Sequence, residues 1–199
     1  MYWNDLTDQI PKIYHVATER KKKTLGSHFE EVDDDYLMDQ FMRAVKSPSY
    51  YAAYRGIQYI LSERDFSDRA GIVRKSLKLN DRKIIFNITD KERTILDSIA
   101  FPEKSGGIKN VIDVASRSFR KLSSEKLIDY YSRIHFTYPY WQRIGLIFDR
   151  VGGRAIPEKM MDRFKKPKFE FFLDRQYRSD WIFDDKWKVY YPKGIFGEH

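Results

Sequence analysis

Through most of the second half of the chain, apolar residues recur every three or four positions, the spacing of amphipathic helices. Ile95, Leu96 and Ile99 form one stripe, and Thr89 and Glu92 ahead of it have the spacing of a capping box. Ile108, Val111, Ile112, Ala115 and Phe119 form the next, directly behind the glycine pair Gly106-Gly107. Ser123 is placed to cap a third helix carrying Leu127, Tyr131 and Ile134, with Leu122 and Leu127 at the spacing of a hydrophobic staple. Pro139 opens a fourth, with Trp141, Ile144, Phe148 and Val151 inward and Gly152-Gly153 ending it. Pro157 opens a short fifth.

The first half mixes periods. Ile10–Thr18 reads as a strand and Ser27–Val32 as a second, joined through the basic run Arg20-Lys-Lys-Lys23 and leaving by the acidic run Asp33-Asp-Asp35. Asp35 caps a helix that puts Leu37, Met38, Phe41, Met42 and Val45 on one face. Ser47-Pro48 starts another with the stripe Tyr50, Tyr54, Ile57 and Leu61, and a shorter helix is predicted from Ser67 to Leu77. Lys83–Ile88 is a strand, and Phe169–Leu173 and Trp187–Tyr191 are two late ones. The expected architecture is α+β: a helix-rich single domain over 1–199 with a small, mainly antiparallel sheet.

Composition narrows the partners. A net charge of +8 and a pI near 9.4 favour contact with something acidic. The absence of cysteine removes disulfides, zinc–thiolate sites and thiol nucleophiles together. Neither a signal peptide nor a bilayer-length apolar run is present, so the expected location is cytoplasmic and no membrane partner is expected.

The candidate phosphate contacts are Arg20, Lys21, Lys22 and Lys23, with Arg163, Lys165, Lys166 and Lys168 as a second group. The first group also reads as a solvated hairpin turn, and the second lies far from it in sequence. Arg117, Arg120 and Lys121 end a helix, where cations favour the macrodipole without any ligand. Glu30, Glu31 and Asp33–Asp35 lack the glycine and spacing of a calcium loop. His15, His28, His135 and His199 have no ligand spacing, so no metal site and no cofactor are expected. Asp174 with Asp184-Asp-Lys186 fits the carboxylates and lysine of a metal-dependent nuclease, a short match that arises readily in a chain one-third charged. The glycine pairs lack a P-loop's lysine and hydroxyl. Tyr50-Tyr51, Tyr130-Tyr131, Tyr138–Trp141 and Tyr190-Tyr191 read as core, with any exposed rings suited to an interface.

Three blocks carry a family resemblance. The segment Leu6–Lys23, the helix Glu92-Arg-Thr-Ile-Leu-Asp97 with Gly106-Gly-Ile108 after it, and Arg143-Ile-Gly-Leu-Ile-Phe-Asp-Arg-Val-Gly152 resemble, in order, the C-terminal antitoxin domain of the AbiEi-type transcriptional regulators. That family supplies the antitoxins of type IV toxin–antitoxin pairs. The resemblance implies an AbiEi C-terminal-like domain without the winged helix-turn-helix, which would precede Leu6, and a helical insertion at about 36–79. It also implies Glu92, Arg93, Thr94, Leu96, Asp97, Gly106, Gly107, Arg143 and Gly145 as structural signature residues. The implied function is non-enzymatic: countering a nucleotidyltransferase-like toxin from an adjacent gene. The alternative is a basic nucleic-acid-binding protein without a toxin partner. A metal-dependent nuclease is the third reading.

Overall fold

The computed structural model describes residues 4–8, 12–19, 41, 51–64, 68–79, 81–134, 136, 138–176 and 180–197. The fold is α+β, with five α-helices among the described residues and small, mostly antiparallel sheets. The chain divides into two compact units, one of Tyr2 with Asp8–Asp68, the other of Met1, Trp3–Thr7 and Arg69–His199. No helix among the described residues is long and apolar enough to cross a membrane.

The smaller unit holds β1 (Ile13–Glu19), β2 (Tyr51–Tyr54) and β3 (Ile57–Arg64), in the order β1-β3-β2. β3 runs parallel to β1, with Tyr14 opposite Tyr59 and their rings stacked at 5.7 Å, and antiparallel to β2. This corrects the helix expected from Ser47. Tyr54, Ile57 and Leu61 do fall at helical intervals, but Arg55 and Gly56 between them both take positive φ, 49° and 77°. Two consecutive left-handed residues make the tight hairpin turn whose twist suits antiparallel strands, and they end a helix. The basic run Arg20–Lys23, the strand Ser27–Val32, the acidic cluster and the helix from Asp35 lie outside the described residues, apart from Phe41, which is helical and buried.

In the larger unit β4 (Ile72–Leu79) and β5 (Arg82–Thr89) form an antiparallel ribbon. β4 replaces the helix predicted over Ser67–Leu77, so the segment 36–79, expected to be helical, carries strands at three places where it is described. Then come α1 (Lys91–Ala100), α2 (Ile108–Ser118), α3 (Ser124–Arg133), α4 (Tyr140–Arg150) and α5 (Ala155–Phe164). The chain closes with β6 (Phe171–Phe172), β7 (Trp181–Asp184) and β8 (Val189–Pro192), in the order β6-β8-β7. The sequence reading missed β7 and overextended β6. Ser123 caps α3 and Gly152 follows α4 at φ 87°, as their residue types imply. α5 starts at Ala155, two residues before Pro157.

The cap of α1 needs correction. Asp90, not Thr89, accepts the Arg93 backbone N–H at 2.9 Å, and Glu92 accepts the Ser123 N–H at 2.9 Å instead of closing a box. Thr89 belongs to β5, opposite Ile72.

The core of this unit lies between α1 and α4. Ile95, Leu96, Ile99, Ile144, Leu146, Ile147 and Phe148 are buried there, along with Val111, Leu127, Met160, Leu173 and Trp187 from their neighbours. Two polar joints fix α4 to the closing sheet. The Gln142 amide donates to the carbonyls of Phe169 and Trp187, each at 2.8 Å. Arg143, fully buried, donates from Nε to the Phe172 carbonyl at 2.7 Å and from Nη1 to the Ile99 carbonyl at 3.3 Å. Its guanidinium also sits over the rings of Tyr140 and Phe171, 5.2 and 5.1 Å from their centroids. Burial pulls its pKa down to about 10, against the fields of Tyr140 and Asp174. Two residues on, Gly145 lies directly beneath the Trp187 indole.

Candidate nucleic-acid interface

The ribbon is fastened at its root and exposed beyond it. Gly71, at φ 70°, enters β4, and its carbonyl accepts the Asp90 N–H at 2.7 Å. A Cβ at Gly71 would stand 2.4 Å from the Arg93 Cβ, so only glycine lets α1 approach this closely. Arg93, itself buried, donates to the Ala70 carbonyl at 2.8 Å and pairs with Asp97 at 3.2 Å. The free oxygen of the Asp90 cap accepts the Tyr130 hydroxyl at 2.9 Å. Burial and the Asp90 carboxylate push that phenol up to about 12, so it stays a donor. Asn4 donates to the Thr89 carbonyl at 2.9 Å and to the Thr94 hydroxyl, which also bonds the Thr89 hydroxyl at 2.7 Å. The stretch Thr89–Asp97 is thus the clamp that holds the ribbon against the helices.

Beyond the root, strand register sorts the side chains, since directly paired residues share a face. One face carries Arg74 opposite Asn87, Ser76 opposite Ile85 and Lys78 opposite Lys83. The other is largely apolar: Val73 opposite Ile88 and Leu77 opposite Ile84, with Lys75 opposite Phe86 between them and Leu79 opposite Arg82 at the tip. Residues 72–89 contain five cations and one acid, so this hairpin holds half of the chain's net charge of +8. Arg74, Lys78, Arg82 and Lys83 are exposed and make no ion pair among the described residues. Lys78 directly opposite Lys83 is a repulsive pair, and neither lysine has an ion pair among the described residues. Four ribbon hydrophobes are also well exposed: Val73 at 37%, Leu77 at 40%, Ile84 at 44% and Ile85 at 49%.

The other candidates are dispersed. Arg163 ends α5 and lies 3.4 Å from the Ser132 hydroxyl, while Lys165, at φ 65°, Lys166 and Lys168 follow on the exposed loop to β6. Arg117 is paired with Asp113 at 2.6 Å, and Arg120 lies over the Phe119 ring. Arg20–Lys23, His28, His135 and His199 fall outside the described residues. The signature residues Glu92, Arg93, Thr94, Leu96 and Arg143 are buried, and Gly106 and Gly107 make the positive-φ turn into α2.

The nuclease candidates are engaged elsewhere. Asp184 accepts Arg150 at 2.9 Å and the Trp187 N–H at 2.9 Å, and Asp174 caps the Gln176 N–H at 2.9 Å. Lys186 pairs with Asp149 at 2.5 Å. Burial alone would raise the Asp149 pKa, but hydrogen bonds from Lys186 and the Trp187 indole hold it below the usual carboxylate range. Among the described residues no three carboxylates or histidines converge as metal ligands.

Sequence reasoning missed the ribbon as a site. Its available signal was the alternation of Arg74, Ser76 and Lys78 with Lys75 and Leu77 beside an already recognised strand. No protein-family model, no curated protein and no solved structure matches this chain, so its own residues must carry the functional reading.

Proposed function

We propose that this protein is a non-enzymatic nucleic-acid-binding protein whose contact surface is the β4–β5 ribbon. The observation that carries the reading is the set of exposed cations on this anchored hairpin, Arg74, Lys78, Arg82 and Lys83, without an ion pair among the described residues, with Lys78 directly opposite Lys83. Phosphates beside that pair turn a repulsion into two attractions, and each neutralised phosphate releases counterions.

Salt titration tests it. With about four phosphate contacts, affinity for a mixed-sequence duplex falls roughly a hundredfold between about 50 and 200 mM salt. The triple variant Lys78→Glu, Arg82→Glu, Lys83→Glu abolishes binding, whereas Lys165→Gln, Lys166→Gln, Lys168→Gln leaves most of it. Binding that ignores salt, or that survives the ribbon reversal, would overturn the proposal.

An antitoxin-like role is the second reading. What supports it is that parts of all three blocks resembling that family lie in one unit. Arg143 of the third block bonds the carbonyl of Ile99, just beyond the second block's Asp97. Leu6 of the first is buried beside Asn4, which bonds Thr89 and Thr94. On this reading, co-expression restores growth to cells expressing a toxic nucleotidyltransferase-like protein from the adjacent gene. Growth arrest unchanged by this chain would remove it.

A further inference from the structure

We propose that the polar face of the ribbon enters the major groove of duplex DNA and reads base sequence, with Arg74, Asn87 and Ile85 against base edges and Lys78 and Lys83 on phosphates. This rests on the nucleic-acid reading above and adds the class of nucleic acid and the mode of recognition.

Shape selects the ligand. Two strands lie about 4.8 Å apart, and a two-stranded ribbon with its side chains fits a B-form major groove about 12 Å wide. The A-form major groove of RNA is too deep and narrow to admit it. Eight paired residues on each strand give a ribbon about 27 Å long, enough to lie along the groove for most of a helical turn.

Chemistry then divides the face in two. Nearer the root, Arg74 stands directly opposite Asn87, and these are the two side chains whose forks match guanine O6/N7 and adenine N6/N7. Beside them Ile85 is half exposed on a face that is otherwise polar beyond Ile72 at the root, and it buries nothing in the protein's core. A thymine methyl is the base-edge group that rewards such a side chain. Toward the tip the face becomes purely cationic, Lys78 against Lys83. Lysine pairs of this kind follow backbone charge and carry no sequence information. The clamp at Gly71, Asp90 and Arg93 supplies the fixed orientation that base readout requires.

The experiment is selection of the full-length protein on a random duplex library, followed by binding of the selected site, a scrambled duplex, a single strand and duplex RNA of equal length. One sequence is expected to emerge, with scrambled duplex, single strand and RNA all weaker. Arg74→Ala and Asn87→Ala each weaken the selected site about ten- to a hundredfold; Asn87→Ala leaves the scrambled duplex unchanged, and Arg74→Ala weakens it only by the smaller step of one lost charge. The double variant Lys78→Gln, Lys83→Gln weakens both duplexes alike and lowers the slope of log affinity against log salt by about two. Because all four side chains are exposed, thermal melts of the variants should superimpose on the parent. If RNA or single strands compete equally, or the alanine variants lose the same factor on every duplex, groove reading is wrong while nucleic-acid binding stands. If no nucleic acid binds, both proposals fall.

Discussion

Gly145→Ala should destabilise the protein by about 3 kcal/mol or more, the cost of forcing extra volume into a filled core. The sign is the informative part. Alanine replacing glycine within an ordinary helix stabilises it by about 0.5–1 kcal/mol. Here the new methyl would stand 2.0 Å from Cζ3 and 2.3 Å from Cε3 and Cη2 of Trp187. The indole has nowhere to go. Its Nε1 donates to Asp149 at 2.9 Å, its backbone N–H to Asp184, and its carbonyl accepts the Gln142 amide. Its edge meets Trp141 at 6.2 Å between centroids. Shifting the ring therefore breaks several interactions at once. Urea denaturation reads the effect, and a variant as stable as the parent would show that the helix and the indole are not in this contact. Pairing Gly145→Ala with Trp187→Leu should recover part of the loss, because the second change removes the obstructing ring.

Arg143→Ala is expected to cost about 3–5 kcal/mol, the range for removing one member of a buried charged network and leaving a cavity. The Phe172 and Ile99 carbonyls lose their donor, and the rings of Tyr140 and Phe171 lose the planar group between them. Arg143→Lys should do little better. A point ammonium cannot reproduce two donors aimed at separate carbonyls while lying flat against two rings. Arg143→Met keeps most of the volume and should fall between, at about 1–3 kcal/mol for the orphaned carbonyls. Denaturation midpoints that ranked methionine below alanine would mean that the orphaned carbonyls, which water entering the alanine cavity can satisfy, rather than the cavity, set the loss.

How much of this was legible depended on burial. The helices of the larger unit announce themselves because each presents a continuous stripe to one core, and because Ser123, Pro139 and Gly152 mark their ends. The strands before them have no such stripe. Tyr54, Ile57 and Leu61 satisfy a helical period by coincidence across a turn, and the turn's only mark is Arg55-Gly56. In β4, residues of both faces are exposed, so no alternation of buried and solvated positions was imposed on its sequence. The candidate interface was harder still. Contiguous basic runs such as Arg20–Lys23 stand out along a chain, but Lys78 and Lys83, or Arg74 and Asn87, become neighbours only through the register of a hairpin. With β4 taken for a helix, that register did not exist. Arg93 and Asp97 were conspicuous for the opposite reason, being one helical turn apart in sequence as well as paired in space, whereas Asp90 was hidden by Thr89, whose side chain fits the same capping role.

The separation between clamp and ribbon also bears on how such a protein changes over generations. Exposed positions away from any core tolerate most substitutions within about 0.5 kcal/mol. Arg74, Ser76, Ile85 and Asn87 are positions of this kind, while Gly71, Asp90 and Arg93 behind them are not. A lineage can rewrite the blade's lettering at almost no expense to the hilt, and two descendants sharing every buried residue can answer to different addresses.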